Sequence, residues 1–175
     1  MPERIWTGLS RTPGMSVEVP GPDSLATPVQ VPVASSPGVA RSMRGNRRRD
    51  TSPERRLRSA LHRRGWRFRV DVPIKVGSKR ARPDLAFTRI RVAVFVDGCF
   101  WHCCPEHGRP PLSNTGYWGP KLARNAQRDR QDTDLLRAAG WQVVRVWEHV
   151  PLGDAIVEVE RALHLAEEDL LSPAG

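Results

Sequence analysis

The sequence contains no long hydrophobic segment: a run of about 18 apolar residues, the least that spans a bilayer, does not occur among its 175 residues. Its first residues also lack the apolar core and small-residue cleavage site of a secretion signal. We therefore expect no membrane contact and a cytoplasmic protein. A chain of this length has room for one domain with a substantial core.

Cysteine is scarce, and the three cysteines lie within six positions, at Cys99, Cys103 and Cys104. An odd number of crowded cysteines does not suit a disulfide framework. The spacing favours metal ligation in a reducing compartment.

Acidic residues are in the minority, because 28 Lys and Arg face 19 Asp and Glu, for a net charge of +9. This excess favours a polyanionic partner, nucleic acid first, although charge alone can serve only solubility. Five arginines fall between residues 41 and 49, with no acidic residue among them. We interpret 41–50 as a basic arm for DNA phosphates, with a solvated linker as the alternative. Its arginines are Arg41, Arg44, Arg47, Arg48 and Arg49.

The composition divides the chain near residue 40. Residues 1–40 hold seven of the 16 prolines and no apolar period, which predicts a disordered extension. Residues 41–175 are predicted to form one domain. Within it, 151–175 has apolar residues at helical spacing and is predicted to be a covering helix.

The apolar periods predict a mixed α/β domain. A helix is expected to begin after Thr51 or Ser52 and to stop at Gly65, and a second helix is expected at 121–139. Residues 98–118 have no clear period and are predicted to form a loop ordered by a metal. Strands are predicted at 66–70, 84–88, 92–97 and 142–147.

Two carboxylates occur at strand ends. Asp84 follows Arg82-Pro83, and Asp97 comes 13 positions later. Neighbouring strands can bring both to one edge, where carboxylate and main-chain oxygens suit Mg²⁺ and phosphodiester hydrolysis. The alternative for Asp84 is a turn or capping residue.

Four residues with soft ligand atoms follow strand ends: three lie in the segment after Asp97, and the fourth comes after the predicted strand 142–147. Cys99, Cys104 and His107, with His149 from 42 positions on, can close a tetrahedral structural zinc site. Cys103 is then the surplus thiol. The alternative is a chance group of buried thiols and surface histidines.

The same segment carries an unassigned histidine and two adjacent aromatic residues. His102 can activate the attacking water near neutral pH, or it can merely line the zinc loop. Phe100 and Trp101, with Tyr117 and Trp118 further on, can wedge between bases, or some of them can belong to the core.

These motifs together resemble the very short patch repair (Vsr) endonucleases. The resemblance covers Ser42 to about His149. It rests on Arg44-Gly45, Asp50-Thr51 with Glu54, Arg82-Pro83-Asp84, Val94-Phe95-Val96, Gly98-Cys99-Phe100-Trp101-His102, Tyr117-Trp118, Asn125 with Arg128-Asp129, and Gly140-Trp141 through Trp147-Glu148.

The resemblance implies a restriction-endonuclease-like α/β fold, with a mixed central sheet flanked by helices. It implies an enzyme that nicks duplex DNA beside a T:G mismatch left by deamination of 5-methylcytosine. The expected partners are mismatched double-stranded DNA and other mismatch-repair proteins. A monomer in the bacterial cytoplasm, associated with the nucleoid when bound to DNA, is expected.

Roles for single residues follow from the resemblance. Asp84 is expected to be the principal Mg²⁺ ligand, the Val96 carbonyl a second ligand, His102 the general base and Glu54 a supporting acid. The expected intercalating residues are Phe100, Trp101 and Trp118. Zinc ligation falls on Cys99 and Cys104, with His107 near a third position and His149 replacing a cysteine at the fourth.

Asp97 departs from the family pattern, since the best-known members have histidine there. It is predicted to act in catalysis and to bind Mg²⁺ directly. The loop from His107 to Trp118 also differs, so the sequence read around the mismatch is not transferred. Two alternatives stay open: a restriction or mobile-element nuclease without mismatch specificity, and an inactive zinc-stabilised DNA-binding module.

Overall fold

A mixed sheet flanked by helices forms the part of the chain described by the computed structural model, namely residues 37, 49–109 and 112–172. The elements are α1 (Ser52–Arg63), β1 (Arg69–Val70), β2 (Ile74–Val76), β3 (Lys79–Ala81), β4 (Leu85–Phe87), β5 (Val92–Asp97), α2 (Thr115–Ala138), β6 (Gln142–Trp147) and α3 (Leu152–Leu171). The sheet has four strands, in the order β1-β4-β5-β6, and a separate two-stranded sheet pairs β2 with β3.

The strand register brings three chain segments to one edge of the sheet. β4 runs antiparallel to β5, with Leu85 opposite Val94, so the residue before β4 lies beside the end of β5. β6 runs parallel to β5, with Trp147 opposite Asp97, so the segments that follow these strands emerge together. We call this the functional edge.

Helices cover both faces of the sheet. Strand β5 is almost wholly buried, and its alternate side chains enter two different cores. Val92 and Val94 pack in the core that α1 and α3 share, while Ala93 and Phe95 pack beside Leu136 of α2. This double cover explains the nearly continuous apolar run of β5. The predicted mixed α/β architecture with flanking helices is confirmed.

Helix α1 begins and ends as its sequence predicts. Thr51 is the N-cap, and its hydroxyl accepts from the N–H of Glu54 at 3.5 Å and donates to the Glu54 carboxylate at 2.8 Å. This arrangement satisfies an end of the helix that would otherwise lack partners. Gly65, at φ +93°, follows the last turn in a conformation that favours glycine.

The secondary structure differs from the prediction at three elements. Helix α2 begins at Thr115, six residues before the predicted start. The prediction was late because the glycine and aromatic residues of the first turns show no helical apolar period. Only Arg69–Val70 of the predicted strand at 66–70 pairs with β4, since Trp66 and Phe68 instead pack near Phe87. The short β2–β3 hairpin was not predicted, because its three-residue strands are too short for a clear alternation.

The closing segment forms α3, as predicted. Ala155, Ile156, Val159 and Leu163 are buried against the sheet and α1, while Val157 and Leu165 remain exposed. No helix in the described ranges is both long and apolar enough to span a membrane. Apart from residue 37, the segment 1–40, for which disorder is predicted, lies outside the described residues, and so does the basic arm except Arg49 and Asp50.

Candidate active site and metal centre

Asp84 stands at the functional edge, immediately before β4. Its Oδ2 accepts a 2.7 Å hydrogen bond from the main-chain N–H of Val96, near the end of β5, which the antiparallel register of β4 and β5 brings within reach. Burial, opposed by that hydrogen bond and aided by the charges of Glu54 and Asp97, raises the pKa of Asp84 to about 6. A carboxylate in this setting favours a cation as its neighbour.

Glu54 joins this group from the first turn of α1 and is only 4% exposed. Its carboxylate accepts from the N–H of Asp50 at 2.9 Å and from the Arg58 guanidinium at 2.5 Å. Arg58 also binds the Asp50 carboxylate at 2.6 Å. These bonds fix Glu54 beside Asp84, whose pKa its charge raises.

Asp97, the last residue of β5, is engaged by a guanidinium. Arg145 of β6 donates from Nε to Oδ2 and from Nη2 to Oδ1, each at 2.7 Å. The carboxylate is buried, with 4% of the residue exposed, so this bidentate pair is screened from water. Direct Mg²⁺ ligation by Asp97 stays a prediction, and this pairing favours another role.

His102 lies in the loop after β5 and faces two carboxylates. Its Nδ1 is 2.6 Å from Oδ2 of Asp129 on α2 and 3.6 Å from Oδ1 of Asp97. Burial opposes the charge of Asp129, but the hydrogen bond with His102 and the cation of Arg145 lower its pKa. An Nδ1–H that donates to a carboxylate leaves the Nε2 lone pair to accept a proton.

Arg145 and Asp129 were given no role by the sequence interpretation. Besides Asp97, Arg145 contacts the Asp129 carboxylate at 3.2 Å and stacks 4.6 Å above the centre of the Phe95 ring. The available signal was a single charged residue inside the apolar strand 142–147. Its partners lie 16 and 48 residues away, so the sequence offered no direct way to pair them.

Three partly exposed aromatic rings form a cluster beside His102. Phe100 lies 5.1 Å from Trp101 and 5.7 Å from Trp118, and the two tryptophans are 5.8 Å apart, measured between ring centres. None belongs to either hydrophobic core of the described residues. The Lys121 ammonium lies 5.1 Å from the centre of Trp118. We call Phe100, Trp101 and Trp118 the aromatic cluster.

The four predicted zinc ligands come together. One ligand atom from each of Cys99, Cys104, His107 and His149 lies within 4.8 Å of the others. The sulfur of Cys99 is 3.1 Å from Nδ1 of His149, and that of Cys104 is 3.7 Å away. Without a metal, burial and the neighbouring Cys104 raise the pKa of Cys99 to about 11.

Local backbone geometry shapes this loop. The N–H of Gly108 donates to the Cys104 carbonyl at 2.7 Å, and a Cβ on Gly108 would lie 2.4 Å from that oxygen. Cys103 is exposed and has a positive φ of 54°, and its place as the surplus thiol stays a prediction. The Glu148 carboxylate accepts from the N–H of Cys99 at 2.7 Å and joins the segments after β5 and β6.

The basic arm contributes one described arginine. Arg49 is 63% exposed at its side chain and pairs with Asp71 at 2.7 Å. Arg44, Arg47 and Arg48 lie outside the described residues. DNA contact by this arm therefore stays a prediction.

Comparison with known proteins relates the chain to DNA endonucleases. A family model described as DNA mismatch endonuclease Vsr matches residues 38–106. The type II nicking enzyme V.NaeI of Lentzea aerocolonigenes is 50% identical over 137 residues, which cover 78% of this chain and 82% of the relative.

Two further relatives are less similar. The type II nicking enzyme V.XorIIP of Xanthomonas oryzae pv. oryzae is 40% identical over 108 residues, covering 58% of this chain and 73% of the relative. The DNA mismatch endonuclease Vsr of Escherichia coli strain K12 is 37% identical over 113 residues, covering 62% and 68%.

Proposed function

This chain belongs to the Vsr family of DNA endonucleases, and we propose that it nicks one strand of duplex DNA beside a T:G mismatch in very short patch repair. The mismatch would arise by deamination of 5-methylcytosine. We propose a restriction-endonuclease-like fold for the domain. Monomeric action on DNA at the nucleoid, alongside other mismatch-repair proteins, is part of the same proposal.

The pairing of His102 with Asp129 beside Asp84's sheet edge carries this proposal. Phosphodiester hydrolysis needs a base for water and a site for positive charge at the attacked phosphate. The functional edge offers a histidine held by a carboxylate and, next to it, a buried carboxylate whose pKa is raised to about 6.

The residues at this edge fit a magnesium ion. Asp84 offers a carboxylate oxygen and the Val96 carbonyl is a further oxygen ligand, while burial, with the nearby charges of Glu54 and Asp97, raises the pKa of Asp84. A bound Mg²⁺ would stabilise the charge that develops on the phosphate oxygens. Glu54 adds negative charge to the same site.

The base in this mechanism is His102. Its Nε2 removes a proton from water, whose oxygen attacks phosphorus as the bond to the departing 3′-oxygen breaks. Asp129 accepts from Nδ1–H and stabilises the imidazolium that forms. The departing oxygen takes up a proton, leaving a 3′-hydroxyl and a 5′-phosphate.

Mismatch recognition is assigned to the aromatic cluster. Its rings are partly exposed and lie outside both cores, and Phe100 and Trp101 directly precede His102 in the chain. Wedging between base pairs costs about a few kcal/mol per step, and least where a mismatch has weakened the stack. The cluster can therefore insert at a base-pair step that a mismatch has weakened, and so direct cleavage to a phosphodiester nearby.

The cysteine and histidine cluster fits a structural zinc ion. Ligand atoms of a tetrahedral zinc lie about 3.3 to 3.8 Å apart, close to the separations of both cysteine sulfurs from His149. All four positions are filled by protein, which is typical of structural sites. Zinc would fasten the loop that carries Phe100 and Trp101 to the segment after β6.

A nicking assay tests the proposed function. Matched duplexes that differ only in one T:G pair, one T:A pair or one C:G pair are incubated with the protein and Mg²⁺. We expect strand-specific nicking beside T:G and none with Asp84→Asn. Equal nicking of all three duplexes would replace mismatch repair by a nicking nuclease without mismatch specificity, which the names of two relatives also allow.

A further inference from the structure

Arg145 connects the two carboxylates that lie nearest to His102 among the described residues, those of Asp97 and Asp129. Its guanidinium binds both oxygens of Asp97 at 2.7 Å and lies 3.2 Å from the Asp129 carboxylate. It also donates to the main-chain carbonyl of Asp129 and to the hydroxyl of Thr133, each at 3.2 Å. One side chain on β6 thus fixes the end of β5 and one turn of α2.

The geometry requires a cation at this position. Asp97 and Asp129 approach the same nitrogen of His102, at 3.6 and 2.6 Å, and two adjacent carboxylates repel each other when both are ionised. Burial opposes the charge of Arg145, yet Asp97 and Asp129 raise its pKa, so it stays charged between them. The guanidinium holds Asp97 at the longer distance from Nδ1 of His102 and leaves Asp129 as the hydrogen-bond partner of that nitrogen.

We propose that Arg145 is a positioning residue for the nicking reaction, which orients His102 through Asp129 and holds Asp97 as its own counter-charge. This inference rests on the proposed function and adds to it. Asp97 then acts in the reaction through Arg145, and it does not ligate the divalent cation. The best-known family members have a histidine at position 97. In this chain the ion pair of Asp97 and Arg145 stands in its place.

The competing explanation is that Arg145 only joins β6 to β5 and α2. Both explanations predict lower stability when the guanidinium is removed, because Asp97 is then left buried and unpaired. They differ in what happens to His102 and to kcat. The test therefore needs a variant that restores stability without restoring the guanidinium.

Kinetics of three variants supply the first test. Arg145→Met removes the charge, Arg145→Lys keeps it without the fork, and Arg145→Met combined with Asp97→Asn removes the buried charge imbalance. We expect kcat to fall about 100-fold in Arg145→Met, with KM for the duplex changed by less than about threefold. Arg145→Lys should be intermediate.

The double variant decides between the explanations. We expect it to unfold at nearly the wild-type temperature while its kcat remains at least about tenfold below wild type, because nothing then holds Asp129. A double variant with wild-type kcat would show a purely structural role and would overturn the proposal. All rates are taken on the duplex that the wild type nicks best, so the result does not depend on T:G specificity.

A spectroscopic readout needs neither DNA nor Mg²⁺. The ¹⁵N signals of the neutral His102 ring report which nitrogen bears the proton. We expect Nδ1–H in the wild type and a mixture of tautomers in the double variant. His164, which is 63% exposed on α3, is the internal control and should not change. An unchanged His102 signal in the double variant would contradict the positioning role.

The magnesium dependence tests the part assigned to Asp97. If Asp97 is only a counter-charge, the double variant should reach half its maximal rate at the wild-type Mg²⁺ concentration, within about threefold. If Asp97 is a ligand, that concentration should rise by at least about tenfold. The second result would return Asp97 to the metal site and overturn this part of the inference.

Discussion

Oδ2 of Asp129 lies 2.6 Å from Nδ1 of His102, although 27 residues separate the two along the chain. Helix α2 carries the carboxylate across the sheet face to the loop that follows β5. Because this contact sets the tautomer of His102, it determines which nitrogen can accept a proton from water. Asp129 is therefore part of the candidate active site on geometry alone.

Asp129→Asn is expected to lower kcat for nicking by about 100-fold or more, with little change in KM for the duplex. An amide can donate to Nδ1 and so favour the wrong tautomer of His102. Steady-state nicking kinetics measure the effect. Asp134→Asn, an exposed change on the same helix, is the matched control and should behave as wild type.

Asp84→Asn is expected to abolish nicking and to stabilise the metal-free protein at pH 8. Burial raises the pKa of Asp84 from 3.8 to about 6, so folding favours its protonated form. That stabilisation is complete below pH 3.8 and is lost as the pH rises through 6.

The neutral amide avoids this loss and should add about 1 to 3 kcal/mol to the free energy of unfolding at pH 8. Urea denaturation at pH 8 and pH 5 without Mg²⁺ measures the gain, which should shrink at the lower pH. A variant that is less stable than wild type at pH 8 would show that burial does not make the ionised Asp84 carboxylate unfavourable for folding.

Cys104→Ser is expected to remove about one equivalent of zinc per chain and to lower the melting temperature. Cys104 is buried within the ligand cluster, and loss of one ligand from a closed site weakens metal binding strongly. Metal analysis and thermal unfolding are the measurements. Cys103→Ser, one residue away but exposed, should keep both zinc and stability. A wild-type protein without zinc would refute the assignment.

Trp118→Ala is expected to reduce the preference for T:G over T:A duplexes more than it reduces binding to paired DNA. The ring lies within 6 Å of Phe100 and Trp101, so its loss opens the aromatic cluster. Trp118→Phe, which keeps an aromatic face, should retain more of the preference. Equal losses of affinity on both duplexes would argue against a wedge.

Local sequence patterns predicted the parts of the site whose members share a short segment or a strand end. The limits of α1 follow from Thr51 and Gly65, and the cysteine and histidine cluster follows from crowded cysteines and a histidine after a neighbouring strand. Each of these signals comes from a few residues whose chemistry suits one task, such as capping a helix or binding a metal.

Long-range pairs inside the sheet gave no such signal. Arg145 interrupts an apolar strand, and nothing in the sequence specifies whether it turns to solvent or to Asp97. The role of Asp129 likewise depends on the crossing of α2 over the sheet. Such distances arise from packing of the whole domain, and local periodicity does not encode them.

The pairing of Asp97 with Arg145 also constrains how this lineage can change. Replacing Arg145 alone by an uncharged residue leaves Asp97 buried without its partner, which costs about 3 to 5 kcal/mol, a large share of the stability of most domains. The two positions should therefore vary together during evolution. Relatives with an uncharged residue at position 145 are expected to carry something other than aspartate at position 97, and the pair can serve to sort them into branches.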